Sequence, residues 1–199
     1  MTAAVVFIVI LSAGSGSTVA KASSPSASTM YPALAGNDAS GIKLVAAPHP
    51  FQPGDYTGPS FPLRAPEGPA VAEHWPIAGT IRHVGVGVPG VSAWIAESYG
   101  AGVCVLAWDG GTANNVSAVG FSCSPPGAPG RGAQVELRDM PSRPGKVLRV
   151  GVVPSGTKSV AVELTDGATA TIPVGGNAWA YLADEASLRP GAATALKGR

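Results

Sequence analysis

Glycine and proline interrupt this sequence so often that long helices cannot form. The chain of 199 residues holds 27 Gly and 19 Pro, and 45% of it is hydrophobic. After the N-terminal third, these residues separate short Val-rich runs that recur about every 8–12 residues, a spacing typical of β-sandwiches and barrels. Because proline breaks helices and glycine destabilises them, the pattern predicts an all-β protein.

The predicted domain spans residues 77–183 and is a small antiparallel β-sandwich, immunoglobulin-like or related. Alternation is clearest near its end, where Val160 and Val162 alternate with polar or small residues, which places one set inside and the other in water. Gly- and Asp-containing turns between the last four runs predict an antiparallel meander over residues 147–182. The nine predicted strands are Thr80–Val88, Val91–Ser98, Val103–Trp108, Val116–Ser122, Gln134–Asp139, Val147–Val153, Lys158–Leu164, Ala168–Val174 and Ala178–Leu182.

The chain has two cysteines, Cys104 and Cys123. In an exported protein an even count indicates one disulfide, and closing a loop of about 20 residues contributes about 3 kcal/mol of stability. The run Val103–Trp108 is apolar on both faces, which predicts a central strand that holds the bridge against a tryptophan. Two buried free thiols are the alternative.

An uninterrupted apolar run, Ala3–Leu11, lies near the N-terminus. It is shorter than the roughly 20 residues needed to cross a bilayer, and the small residues of Thr18-Val19-Ala20 and Ala20-Lys21-Ala22 fit the −3 and −1 positions of signal-peptidase sites. No Lys or Arg precedes the run, but residues 1–22 are still predicted to be a signal peptide or signal anchor, with cleavage preferred. A buried N-terminal strand is the alternative. The expected location is extracellular or at the cell surface, without a stable membrane span if the signal is cleaved.

The segments on either side of the predicted domain differ from it in composition. Ten of the 19 prolines lie within residues 23–76, so this segment is predicted to be a flexible, disordered Pro/Ser/Ala-rich arm. Its aromatic side chains would attach it to the domain or serve a partner. Residues 184–199 are weakly helical up to Leu188 and are predicted to be a mobile tail.

The charge and the motifs of the sequence argue against several functions. The net charge is +1 and no basic stripe is present, so nucleic acid is not an expected partner. Ser155 and Lys158 match the Ser-x-x-Lys motif of penicillin-recognising enzymes, but they lie in a predicted turn and the companion motifs are missing. We predict no catalytic residue, no metal site and no cofactor.

Aromatic residues provide the candidate binding sites. Trp179 and Tyr181 share one face of the last predicted strand, and an exposed face there would bind carbohydrate or protein. Packing in the core is the alternative. Trp94 and His83, which lie in the first two predicted strands, complete the candidate binding residues.

Two stretches carry a resemblance. One runs from Val150 to Gly167 and ends in Ile-Pro-Val-Gly-Gly-Asn-Ala-Trp179; the other is a Gly-Val-Cys-Val strand with a second Cys some twenty residues later. They resemble segments of uncharacterised exported β-rich proteins of high-GC Gram-positive, actinobacterial, bacteria, over roughly residues 88–182. The resemblance implies an exported β protein and no particular activity.

These observations favour an exported protein that acts as a non-catalytic binding or structural β domain at the cell surface. Its expected partner is a cell-envelope protein or glycan. Two alternatives stay open at this point. One is an extracytoplasmic hydrolase whose site is assembled from scattered residues. The other is the sensor domain of a membrane-anchored regulator.

Overall fold

The structure, a computed structural model, covers two large continuous segments and several short ones. The predicted signal segment, residues 1–22, lies outside the described residues. Among the helices that are described, none has the length and apolar character needed to cross a membrane. Described are residues 26–35, 43–45, 60–62, 73–110, 118–190 and 193–197, with the backbone alone at 43–45, 60–62 and 194–197.

Short strands dominate these residues, and each of the nine predicted strands overlaps an observed one. In chain order the strands are β1 (Lys43–Val45), β2 (Ser60–Pro62), β3 (Arg82–Val84), β4 (Val91–Glu97), β5 (Val103–Asp109), β6 (Ala118–Cys123), β7 (Ala133–Leu137), β8 (Lys146–Val152), β9 (Thr157–Glu163), β10 (Thr169–Pro173), β11 (Ala178–Asp184) and β12 (Thr194–Lys197). One α-helical turn, α1 (Ala27–Met30), and 3-10 turns at Pro32–Ala35, Ala78–Thr80, Pro129–Arg131 and Glu185–Ser187 complete the elements.

Three antiparallel sheets form the domain, and β1 and β2 pair separately in parallel. The first sheet has the order β3-β4-β5-β6, the second β11-β8-β7 and the third β10-β9-β12. The first and second sheets pack face to face, since residues from both contribute to one apolar cluster. The predicted all-β sandwich is therefore confirmed, and β5 is a central strand as predicted.

The core of the sandwich follows from period-two alternation along the strands. In the first sheet, Ala93 and Ile95 of β4 and Val103, Val105 and Ala107 of β5 point to the second sheet and are fully buried. The second sheet contributes the facing side chains, namely Val135, Leu137, Leu148, Val150, Val152, Ala178 and Ala180.

The second sheet is covered on both faces. Its outer side chains, among them Val147 and Trp179, pack against Val160 and Val162 of the third sheet in a separate cluster. Strand β8 is consequently buried at six consecutive positions. Gly151 makes this packing possible, because a Cβ at that position would lie 2.5 Å from indole atoms of Trp179.

The predicted meander over residues 147–182 is wrong. Strand β11 pairs with β8, with Leu182 opposite Leu148, and β9 and β10 form a hairpin that crosses to the third sheet. Alternation identifies strands but does not choose their partners, and a strand buried on both faces requires a layer on each side. The hairpin turn itself is as predicted, with Gly167 at φ 82°. Pro173 lies in the edge strand β10, also as predicted.

Both flanking segments contribute to the domain, which corrects the predicted boundaries. Residues 26–35 lie within the predicted flexible arm, yet Ala27, Tyr31 and Leu34 are buried in the sandwich core. The Tyr31 hydroxyl donates to the carbonyl oxygen of Pro129 at 2.6 Å. The predicted mobile tail, residues 184–199, supplies β12, which pairs with β9.

Candidate functional site

The outer face of the first sheet carries a second group of apolar side chains. Trp94 and Ala96 of β4 alternate with the core residues of that strand, as do Cys104, Leu106 and Trp108 of β5. We call this group, together with the residues packed on it, the aromatic face. Its remaining members are Trp75, Ile81, Val119, Phe121 and Cys123.

Trp75 reaches the aromatic face because the end of the Pro-rich arm runs along β4. Pro76 forms an antiparallel bridge with Ser98. The amide of Tyr99 donates to the carbonyl oxygen of Trp75 at 3.1 Å, and the amide of Gly100 donates to that of Glu73 at 3.0 Å. These bonds fix the backbone on both sides of Trp75 and so fix where its indole lies.

An open cleft of about 300 Å³ lies at this edge of the aromatic face. The rings of Trp75 and Phe121 meet edge to face beside it, with centroids 5.2 Å apart and planes at 79°. Among the described residues, those that line it carry no Asp, Glu, Lys or Arg side chain; they are His74, Trp75, Phe121, Ser122 and Cys123. Nearby, Tyr99 is 63% exposed, the one large apolar side chain that is exposed in the described part of the chain.

The predicted disulfide is confirmed and lies at the cleft. Cys104 and Cys123 are directly opposite each other on β5 and β6 and are bonded. Cys104 is fully buried, whereas Cys123 is half-buried and lines the cleft. The Sγ atom of Cys123 lies 3.1 Å from the carbonyl oxygen of His74.

The structure separates the four sequence-predicted binding residues into two pairs. His83 is exposed on β3, directly opposite Trp94 on β4, and their rings meet edge to face at 5.8 Å. Trp94 is only 3% exposed and belongs to the aromatic face. Trp179, 2% exposed, and the half-buried Tyr181 lie in the cluster between the second and third sheets. Trp179 therefore adopts the core-packing alternative, and a flat exposed face centred on it is ruled out.

Trp75 and Phe121, the main aromatic walls of the cleft, were not singled out from the sequence. Trp75 lies at the end of a Pro-rich segment, where no periodicity reports on its side chain. The sequence could have predicted Phe121, because Val119, Phe121 and Cys123 lie at alternate positions of β6 and so share one face. Once Cys123 is known to pair with Cys104, register places Phe121 opposite Leu106 on the same face.

Buried charges lie away from the cleft and are engaged by arginines. The carboxylate of Asp109, 2% exposed, accepts hydrogen bonds from Ser142 and from Arg143 Nε, the latter at 3.1 Å. Arg143 also donates to the carbonyl oxygen of Pro89. This network joins the end of β5 to the turn before β4 and to the loop between β7 and β8.

A second network centres on Arg149, which is 1% exposed on β8. Its Nε donates to Glu136 at 2.6 Å, and its Nη2 donates to the carbonyl oxygen of Arg189 at 2.6 Å. Burial raises the pKa of Glu136, but hydrogen bonds and charge interactions with Arg149 and Arg138 outweigh that effect, so the pKa lies below its usual value. Glu136 is thus held as an anion.

Two candidates for chemistry, the Ser-x-x-Lys motif and a metal site, can be followed in the residues that are described. Ser155 lies in a turn, as predicted, and its hydroxyl donates to the carbonyl oxygen of Met30 at 3.0 Å. Within the same residues, no three His, Cys, Asp or Glu side chains are grouped so that they could hold a metal ion. No protein-family model, curated protein or solved structure matches the chain.

Proposed function

We propose that this protein is an exported, non-catalytic binding domain that attaches to a neutral glycan of the cell envelope. The observation that carries the proposal is the open cleft beside the edge-to-face pair of Trp75 and Phe121. Both rings are partly exposed, and aromatic surface beside an open cleft is a typical ligand-binding feature, because single-domain proteins otherwise bury such rings.

Export is supported by two independent features. The apolar run Ala3–Leu11 followed by small residues fits a secretory signal. The disulfide between Cys104 and Cys123 is of the kind that persists in oxidising compartments. The resemblance to exported actinobacterial proteins agrees with both.

A binding role is favoured over catalysis by the state of two carboxylates, the buried Asp109 and the partly buried Glu136. A carboxyl group that acts as a general acid or base must be free to exchange a proton with substrate. Asp109 and Glu136 instead accept hydrogen bonds from Arg143 and Arg149 and serve to join elements of the fold. Neither residue lines the cleft.

A neutral glycan is the ligand that best fits the lining of the cleft. The face of an aromatic ring carries partial negative charge and attracts the C–H groups on one side of a sugar ring. His74 and Ser122 bring polar groups that can bond to sugar hydroxyls, and the lack of Asp, Glu, Lys or Arg among the described lining residues disfavours acidic or basic ligands.

The test is a binding assay of the domain, residues 23–199, with isolated cell-envelope fragments. We expect Trp75→Ala to lower retention at least about fivefold, since stacking of a ligand ring on one aromatic side chain contributes about 1–3 kcal/mol. Tyr181→Ala is the matched control: it also truncates a half-buried aromatic side chain, but it lies in the other cluster. Circular dichroism confirms that both variants fold.

The same assay separates the two kinds of partner. If the ligand is a glycan, retention survives protease treatment of the envelope and is lost after glycan hydrolysis. The opposite pattern would show a protein partner and reject the glycan. Loss of retention in Tyr181→Ala but not in Trp75→Ala would reject the cleft as the binding site.

A further inference from the structure

The two sulfur atoms of the disulfide differ sharply in their surroundings. Cys104 lies in the central strand β5 and has no exposed surface. Cys123 is the last residue of β6, is half-buried and lines the open cleft. Because thiol–disulfide exchange requires direct contact between an attacking thiolate and a sulfur, only Cys123 is open to a reductant in the folded protein.

The strands on either side of the bridge are held together without it. Strands β5 and β6 pair over six consecutive positions, from Cys104 opposite Cys123 to Asp109 opposite Ala118. Strand β6 also packs closely on the second sheet: a Cβ at Gly120 would lie 2.7 Å from Leu137. Opening the bridge at the end of this ladder leaves the other pairs in place.

We propose that the Cys104–Cys123 bridge is a thiol-exchange site, attacked at Cys123, and that its partner is an exported dithiol oxidoreductase. A thiolate of the partner attacks Sγ of Cys123, the bond to Cys104 breaks, and Cys104 leaves as a thiolate that takes up a proton. The partner's second thiolate then attacks the partner's first sulfur, which is bonded to Cys123 in the mixed disulfide. Cys123 is released as a thiolate. Two electrons pass to the bridge, and the partner becomes a disulfide.

The surroundings of each sulfur assign it a role in this exchange. Cys104 stays opposite Cys123 in the β5–β6 ladder, so it is positioned to close the bridge again. The carbonyl oxygen of His74, 3.1 Å from Sγ of Cys123, is placed to accept the proton of the reduced thiol. Cys123 is therefore the exchanging sulfur and Cys104 the resolving one.

The first test measures alkylation in the folded wild-type domain. After mild reduction with dithiothreitol, iodoacetamide should modify Cys123 at least about tenfold faster than Cys104, because reactivity follows exposure of the thiolate. Peptide mass spectrometry identifies the modified residue, and circular dichroism follows the fold. Equal rates, faster labelling of Cys104, or reduction only under conditions that unfold the domain would overturn the proposal.

The second test uses the two single-cysteine variants and a thioredoxin whose resolving cysteine is replaced by serine. Cys104→Ser should react with dithionitrobenzoate in native buffer, whereas Cys123→Ser should react only in guanidinium. The thioredoxin should form a mixed disulfide with wild type at Cys123. Its attachment to Cys104, or no attachment, would contradict the proposal. Neither measurement involves an envelope ligand, so the outcome is independent of glycan binding.

Discussion

The contribution of the N-terminal segment 26–35 to the core can be tested at Tyr31. Its side chain has no exposed surface, and its hydroxyl donates to the carbonyl oxygen of Pro129 at 2.6 Å. Two other residues of this segment, Ala27 and Leu34, are also buried in the core. If this segment were a linker lying outside the domain, truncating the tyrosine would have almost no effect on stability.

Two substitutions separate packing from hydrogen bonding. Tyr31→Phe keeps the ring and removes one donor; because Pro129 still accepts a hydrogen bond from the amide of Gly132 at 3.0 Å, the loss should be about 1 kcal/mol. Tyr31→Ala also empties the space of the ring and should cost about 3–5 kcal/mol, as for other buried aromatic side chains. The difference between the two variants is the contribution of packing.

Urea unfolding followed by tryptophan fluorescence measures these changes. Tyr99→Ala is the control: its side chain is 63% exposed, and its loss should change the free energy of unfolding by less than about 0.5 kcal/mol. A value for Tyr31→Ala within about 1 kcal/mol of wild type would refute the assignment of residues 26–35 to the core.

The ionisation of Tyr31 gives a second measurement on the same residue. Burial raises the pKa of its phenol, and the backbone amide of Gly132 offsets this only in part. A group whose pKa is higher in the folded than in the unfolded protein contributes its full stability below the unfolded pKa, which is about 10 for tyrosine. That contribution is lost as the pH rises from the unfolded pKa through the higher folded pKa. Wild type should therefore lose stability above about pH 10, and Tyr31→Phe should lose less.

Three further substitutions test other contacts. Glu136→Gln should lower the free energy of unfolding by about 2 kcal/mol at pH 7, because it leaves Arg149 buried without its counter-ion. Since the folded pKa of Glu136 is lowered, that difference should shrink in urea titrations as the pH falls from about 5 to 3; a constant difference would contradict the ion pair. Gly151→Ala should cost about 1–3 kcal/mol through overlap with the covering indole. Gly85→Ala, where a Cβ meets no atom within 4 Å, should leave thermal melts unchanged, and equal melts for both variants would contradict the overlap. Asp109→Asn should cost about 1–3 kcal/mol in urea unfolding, since it weakens two hydrogen bonds to a buried carboxylate, and a neutral result would argue against the network.

The sequence predicts the strands better than their arrangement. Period-two alternation and Gly-containing turns locate β9, β10 and the hairpin between them to within one residue at each end. They do not distinguish a meander from a hairpin that crosses to a third layer, because both arrangements bury the same face of each strand. Strand β8 is buried on both faces, but Arg149 and Gly151 lie on its outer face, so the sequence gives no apolar signal for that extra layer.

The packed ends of the chain were harder to predict. Residues 26–35 contain three Ala, two Ser and one Pro, a composition closer to that of a linker than of a core element, and their only large apolar residues are Met30, Tyr31 and Leu34. The burial of these side chains depends on contacts with distant parts of the chain, such as the bond from Tyr31 to Pro129, which no local pattern reports. The position of Trp75 could not be predicted for the same reason, because it depends on backbone pairing with residues 98–100.

The layer order explains why the cleft lies where it does. A sandwich of two sheets has two outer faces, and each must be hidden or kept polar. The β9–β10 hairpin and β12 hide the outer face of the second sheet, which buries Trp179. The outer face of the first sheet is equally apolar, and in the described residues it is covered by the short stretch that carries Trp75 and Ile81. Among the described residues this narrow cover leaves Phe121 and Cys123 of the edge strand β6 partly exposed, so an aromatic ring and one sulfur of the disulfide meet the cleft at one place.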